Sequence, residues 1–261
     1  TSTIQVVGSG SQTIGLASLS AVATAVSKGV PVIGIAGIMQ RAPESIISLQ
    51  KKGPINSPKD VEGKTMGAEP GDQAQRLFDA FAAKTNIDLS TIKKVNVTKT
   101  GALQALLNED VDFVAAWAVP DGTKANKIKA INKPLMFADY GVNTLSTGIF
   151  VTTETAEKKA DTLKKFMAAT IKAADDVAKD PQAGIDAVKK ASADVDPEIL
   201  KIEIKDLPNM LHTDHSKGKP FGWVAQEDLL QTIDILETYF GMAKGLTPDK
   251  IYTDRFFPPQ N

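Results

Sequence analysis

Apolar and polar positions follow two rhythms along this chain, and the rhythm changes after Thr153. Before it, short apolar runs alternate with helix-period segments. Residues 4–7 and 14–17 read as short strands, 20–28 as a helix stopped by Gly29 with Pro31 soon after, and 30–38 as the apolar, β-branched run of a buried parallel strand. Residues 45–49 and 64–69 read as further strands. From Asp72 to Lys84 the apolar residues Ala74, Leu77, Phe78, Phe81 and Ala82 recur at the spacing of a core-facing helix. Strands follow over 95–98, 111–117, 135–140 and 146–153, with a helix over 101–108. After Thr153 the pattern is helical throughout, over 156–179, 182–192, 197–207 and 226–240. Pro181 after Asp180 and Pro197 after Asp196 give the capped starts of two of these helices. Strand–helix alternation followed by helices predicts an α/β fold with a helical C-terminal cover.

Composition narrows the picture modestly. At 261 residues the chain can fill two modest lobes, and 42% hydrophobic with 23% charged residues is ordinary for a globular protein. A net charge of −1 gives no electrostatic reason to expect nucleic acid or an acidic membrane as partner. The absence of cysteine excludes disulfides, thiolate catalysis and cysteine-based zinc sites. No apolar run reaches the roughly 18 residues that span a bilayer. The opening TSTIQVV shows no signal-peptide pattern, and Gly8-Ser9-Gly10-Ser11 has the composition of a flexible linker.

The densest chemical signal lies in INSPKDVEGKTMGAEPGD, residues 55–72. The strand over 64–69 runs into Pro70-Gly71-Asp72 and the helix that begins with Gln73. Gly71 permits a sharp turn and close approach of a ligand, and Asp72 is a natural N-cap. A helix start at a strand end is a place to hold a polar or anionic small molecule, although any α/β unit needs such a turn.

Trp117 closes the strand over 111–117, where α/β sheets bind ligands, and offers a stacking face; a core role is the competing reading. Ser18 either caps the helix after 14–17 or donates a hydroxyl to a ligand. Gln40 and Arg41 follow the apolar run over 30–38, and a guanidinium suits carboxylate, sulfonate or phosphate, or else a surface ion pair. Asn143 lies in an expected crossover. His212 and His215, the only histidines, make at most a partial metal site and read as part of a solvated loop. Gly63-Lys64-Thr65 is no phosphate loop, because Pro58 stands where that motif needs glycine and a strand follows where it needs a helix. No G-x-S-x-G is present, and Asp175 and Asp176 fall on a lysine-rich solvated helix face.

Ile55, Ser57, Pro58, Asp60, Gly63, Lys64, Gly67, Gly71 and Asp72 together resemble the segment that opens the second lobe in the NMT1/THI5-like group of periplasmic solute-binding proteins. Residues 14–49, 139–152 and 222–258 resemble the same group in the same order. The resemblance implies a two-lobed type II periplasmic-binding-protein fold, with lobes over 1–66 plus 147–261 and over 67–146. It implies chain crossings near 64–67 and 143–148, and a small planar or anionic organic solute in an interlobe cleft. It further implies delivery to an ABC permease and a periplasmic or other extracytoplasmic location, with no catalysis, cofactor or metal. The group usually carries one more strand–helix unit at its start and a short helix before the strand over 14–17. A monomer is expected; because neither is recognisable here, a strand-exchanged dimer is the alternative. Two rival functions share the fold: a sensory or adaptor module, and a pyrimidine synthase of thiamine biosynthesis. By resemblance the latter needs iron, a histidine donor and a cysteine-rich motif.

Overall fold

The computed structural model describes residues 2–259, arranged in two compact units. Unit 1 holds the chain up to Arg41 and from Thr144 on; unit 2 is Ala42–Asn143. In chain order, unit 1 opens with α1 (Thr3–Gly8), β1 (Ile14–Ser18), α2 (Leu19–Ser27) and β2 (Val32–Gly37). Unit 2 follows with β3 (Glu44–Ser48), β4 (Thr65–Ala68), α3 (Gln73–Thr85), β5 (Lys93–Asn96), α4 (Lys99–Leu107), β6 (Phe113–Trp117), α5 (Thr123–Ile128) and β7 (Leu135–Met136). The chain returns to unit 1 with β8 (Thr147–Thr152), α6 (Thr153–Lys158), α7 (Ala160–Lys179), α8 (Pro181–Ala191), α9 (Pro197–Asp206), α10 (Pro208–Leu211), α11 (Gln226–Tyr239) and α12 (Pro248–Ile251). The first crossing therefore falls at Arg41–Ala42, not near 64–67. The reason is strand pairing: β3 lies against β6, with Glu44 opposite Trp117 and Ser48 opposite Phe113.

In unit 1 the sheet order is β1-β8-β2, and both pairs are antiparallel. The run over 30–38 is thus buried but not parallel. Its unbroken apolarity reports burial on both faces, which is independent of strand direction. Leu19, Val22, Phe150, Leu229 and Ile233 pack on one side, and Ile35, Ile149, Val151, Leu163 and Met167 on the other. Gly148 sits where a Cβ would lie 2.6 Å from the Ala36 carbonyl oxygen and 2.7 Å from the Leu19 side chain. Only hydrogen fits between β8 and β2 at that point.

Residues 4–7 form a helix where their β-branched valines suggest a strand. Ser2 explains the outcome. Its hydroxyl accepts from the Gln5 N–H at 3.3 Å, and the Gln5 side chain accepts from the Ser2 N–H at 2.9 Å, a reciprocal capping box. The Gly-Ser-Gly-Ser stretch is the ordered end of this helix: Gly10 N–H donates to the Val7 carbonyl and Ser11 N–H to that of Val6.

Unit 2 carries a mixed sheet of order β5-β4-β6-β3-β7. β4 runs parallel to β5 and β6, whereas β3 is antiparallel to β6 and β7. α3 covers one face with Phe78 and Phe81, both fully buried, which meet Phe113 and Phe137. Ile47, Leu106, Val111 and Val114 form the core of the other face. α3 ends at Asn86, whose φ of 56° is a left-handed cap that asparagine tolerates. The strand expected over 135–140 shortens to Leu135–Met136. Phe137 then turns inward to stack on Phe81 at 4.7 Å, and residues 137–140 become a 3-10 turn.

Candidate functional site

The C-terminal ends of the parallel strands β4 and β6 lie beside the first turn of α3 in unit 2. Between them is a cavity of about 340 Å³. That volume lies in the range of about 300–1,000 Å³ usual for small-molecule sites. Its wall includes Met66, Gly67 and Ala68 of β4, Gln73 and Ala74 of α3, and Ala115, Ala116 and Trp117 of β6.

Local rules place each of these groups. β4 ends at Ala68, and Asp72 N–H donates back to the Glu69 carbonyl to form the turn. Gly71 adopts φ 77°, a region costly for residues with a side chain. Asp72 caps α3 by accepting from the Gln75 N–H at 2.7 Å, and the Gln75 side chain returns to accept from the Gly71 N–H at 3.0 Å. The helix start is therefore rigid and already carries its own carboxylate. Gln73, one residue further, donates its amide to Glu44 Oε1 at 3.2 Å. Glu44 opens β3 directly across from Trp117 and is only 2% exposed. Trp117 is 37% exposed, and its backbone N–H donates to Asp121 Oδ2 at 3.3 Å. Among the described residues the cavity wall thus combines a tryptophan, an amide, carboxylates and one lysine, Lys124.

Asp72, Gln73 and Trp117 line this cavity, while Gly71 shapes the turn beside it. Ser18 is the N-cap of α2, accepting from the Ala21 N–H at 3.1 Å. Gln40 is fully buried in unit 1 and donates to the Trp223 carbonyl at 2.7 Å and the Gly37 carbonyl at 3.3 Å. The backbone N–H groups of Gln40 and Arg41 both donate to the Met210 carbonyl. Asn143 is buried and accepts from the Ala42 N–H at 2.7 Å, tying together the two points where the chain enters and leaves unit 2.

Glu44, Asp121 and Lys124 escaped sequence reasoning. A signal existed for Glu44: an acid at the head of the apolar stretch Ser45-Ile46-Ile47 has to face something polar. None existed for Asp121 and Lys124, because they come into place through the irregular turn over Ala118–Gly122.

The histidine loop of unit 1 is more ordered than a solvated loop. His215 Nδ1 bonds Asp228 Oδ1 at 2.9 Å, and Thr213 donates to the other oxygen of that buried carboxylate at 2.6 Å. The bond to Asp228 holds the His215 pKa above its ordinary value.

Comparisons with known proteins agree with this architecture. The family model described as NMT1/THI5 like matches residues 1–184. The periplasmic aliphatic sulphonate binding protein SsuA from Escherichia coli superposes with a TM-score of 0.72 at 14% identity, covering 99% of this chain and 79% of that one. A putative sulfonate ABC transporter, periplasmic sulfonate-binding protein SsuA from Methylobacillus flagellatus, gives a TM-score of 0.71 at 15% identity, covering 97% and 76%. Among curated proteins, a 4-amino-5-hydroxymethyl-2-methylpyrimidine phosphate synthase from Legionella pneumophila is 30% identical over 93 residues. That match spans 36% of this chain and 29% of the synthase. The chain shares its α/β fold with periplasmic binding proteins, and among the described residues no helix is long and apolar enough to cross a membrane.

Proposed function

The chain belongs to the NMT1/THI5-like family, and from that premise we propose that it is the solute-binding component of an ABC-type importer. In this reading it works outside the cytoplasm, captures a small planar organic solute and delivers it to a permease. The observation that carries the reading is the cavity at the ends of β4 and β6, with Trp117 in its wall and α3 beginning beside it. Stacking on an indole and a few fixed polar groups is the economy of a binding site for a small ring. Two proteins that share the fold are described as sulfonate-binding, one of them as part of a putative sulfonate ABC transporter, which supports the reading.

Thermal melting against a panel of sulfonates, nitrate, pyrimidines, aromatic carboxylates and aromatic amines tests the proposal. A solute at about a hundred times its dissociation constant adds about 2.7 kcal/mol, equivalent to roughly 5–10 °C in a chain of this size. A shift confined to one chemical class is the expected result. A flat panel contradicts the reading. Solution mass measured on the same samples tests whether the binding form is a monomer.

The match to the pyrimidine phosphate synthase favours a second, enzymatic reading. The donor set does not fit an iron site: among the described residues no group of three or more His, Cys, Asp or Glu side chains is placed to hold a metal. Formation of a pyrimidine phosphate by the purified chain would establish the enzymatic reading over the transport one.

A further inference from the structure

The charge of the cavity wall points away from the anions that family resemblance suggests. Among the described residues that line it, the carboxylates are Glu44, Glu69, Asp72 and Asp121, and the only cation is Lys124. Glu44 holds Gln73 and Asp121 holds the Trp117 N–H, and the exposed Glu69 and half-buried Asp72 and Asp121 are the carboxylates that give the wall its negative sign. Moving an anion out of water and into such a wall adds like-charge repulsion to desolvation.

Two further features act in the same direction. The first turn of α3 would ordinarily attract an anion, but Asp72 already occupies the Gln75 N–H with its own carboxylate at 2.7 Å. A second negative group arriving there meets that carboxylate. Trp117 is the best aromatic partner for a cation, since its ring presents negative potential on its face. A part-exposed tryptophan in the wall of a carboxylate-rich cavity is a combination suited to organic cations. Its ring takes the delocalised or alkylated face, while the acids take the N–H donors.

We propose that the solute of this cavity is a small ring-bearing organic cation, an amine or amidinium, and not a sulfonate or carboxylate. This inference rests on the solute-binding reading above and specifies its chemical class. The cavity volume of about 340 Å³ suits a single ring with a short substituent.

Matched probes of one shape and opposite charge give the test. Benzamidine and benzylamine are titrated against benzoate and benzenesulfonate, with benzamide as the neutral member. The protein carries Trp223→Phe, so that emission reports Trp117 alone. The expected result is saturable binding of the cations, at least tenfold tighter than their neutral or anionic counterparts and weakened by added salt. Glu69→Gln, at an exposed position, should weaken cation binding about two- to fivefold without unfolding the chain. Asp72→Asn keeps a capping side chain and should weaken it comparably. Tighter binding of benzoate or benzenesulfonate overturns the charge assignment and leaves the solute-binding reading standing. Equal binding of benzamide and benzamidine also overturns it. If these probes leave Trp117 unperturbed while another solute in the melting panel shifts the protein, the proposed cation class fails. Silence in both experiments removes the solute-binding reading itself.

Discussion

Each unit holds one of the chain's two tryptophans, and the two are used differently. In unit 1, Trp223 donates its indole N–H to Asp254 at 3.2 Å, and the Lys219 ammonium lies 5.1 Å from the ring centroid. The larger cavity beside it, about 650 Å³, is floored by Ile33, Val224, Leu229 and Tyr252. In unit 2, Trp117 is bonded through its backbone N–H to Asp121 and belongs to the wall of the smaller cavity. Sheet direction accounts for part of the contrast. Among the described residues the three strands of the unit 1 sheet pair antiparallel, whereas unit 2 has adjacent parallel strands whose C-terminal ends meet a helix start. Parallel neighbours bring several strand ends and loops to one edge, and sites form there. Cavity size alone would favour unit 1, whose cavity also has Trp223, Asp249, Asp254 and Arg255 in its wall; the position at parallel strand ends is what favours unit 2 in the reading proposed above.

The contrast can be broken by substitution, beginning with the cores. Phe81 is fully buried, stacks on Phe137 and meets Tyr140 edge-on at 5.3 Å. Phe81→Ala should cost about 3–5 kcal/mol and remove solute binding through loss of unit 2, as read by denaturant unfolding. A cost below about 1 kcal/mol would show that this aromatic cluster does not hold the site in place. In unit 1, Gly148→Ala should cost about 1–3 kcal/mol, because the added methyl meets the Ala36 carbonyl and Leu19. An unchanged midpoint would mean that β8 and β2 can separate freely.

At the site itself, Asp72→Ala should lower stability by about 1 kcal/mol through loss of the α3 cap. Asp72→Asn should recover most of that stability, so the pair separates the cap from its charge. The smallest effect belongs to unit 1. The Asp228 bond raises the His215 pKa, so the protonated imidazolium is favoured in the folded chain. Its contribution is fully present below the unfolded value, about pH 6.5, and is lost as pH rises through the higher folded value. His215→Gln should therefore lower the melting temperature near about pH 5.5 and leave it unchanged near about pH 9. Equal losses at both values would mean that His215 acts without its charge, and no loss at either would mean that Thr213 alone holds the loop.

Much of the fold was legible where a single local signal decided the outcome. Asp72 and the Ala74–Phe81 spacing define α3, and Pro181 and Pro197 start α8 and α9. Errors arose where two signals competed. Val6 and Val7 suggest a strand, yet the Ser2–Gln5 capping box makes a helix. The run over 30–38 announces two-sided burial, and periodicity carries no information about strand direction. The candidate site was half legible. Asp72, Gln73 and Trp117 could be found because strand ends and helix starts have sequence marks. Glu44 reaches the same cavity through β3–β6 pairing across a long separation in sequence, which no local pattern encodes. Its position beside Glu69, Asp72 and Asp121, rather than its presence in an apolar stretch, is what the sequence left unmarked.

The central claim is that the Trp117 cavity of unit 2 is where solute binds. Its most direct test is fluorescence titration of two single-tryptophan proteins, Trp223→Phe and Trp117→Phe, with the solute that raises the melting temperature most. The account predicts a saturable change in emission from the protein that retains Trp117. It also predicts loss of the melting shift in the protein that lacks it. A saturable signal from Trp223, with the melting shift intact after Trp117→Phe, would place the solute elsewhere and contradict the account.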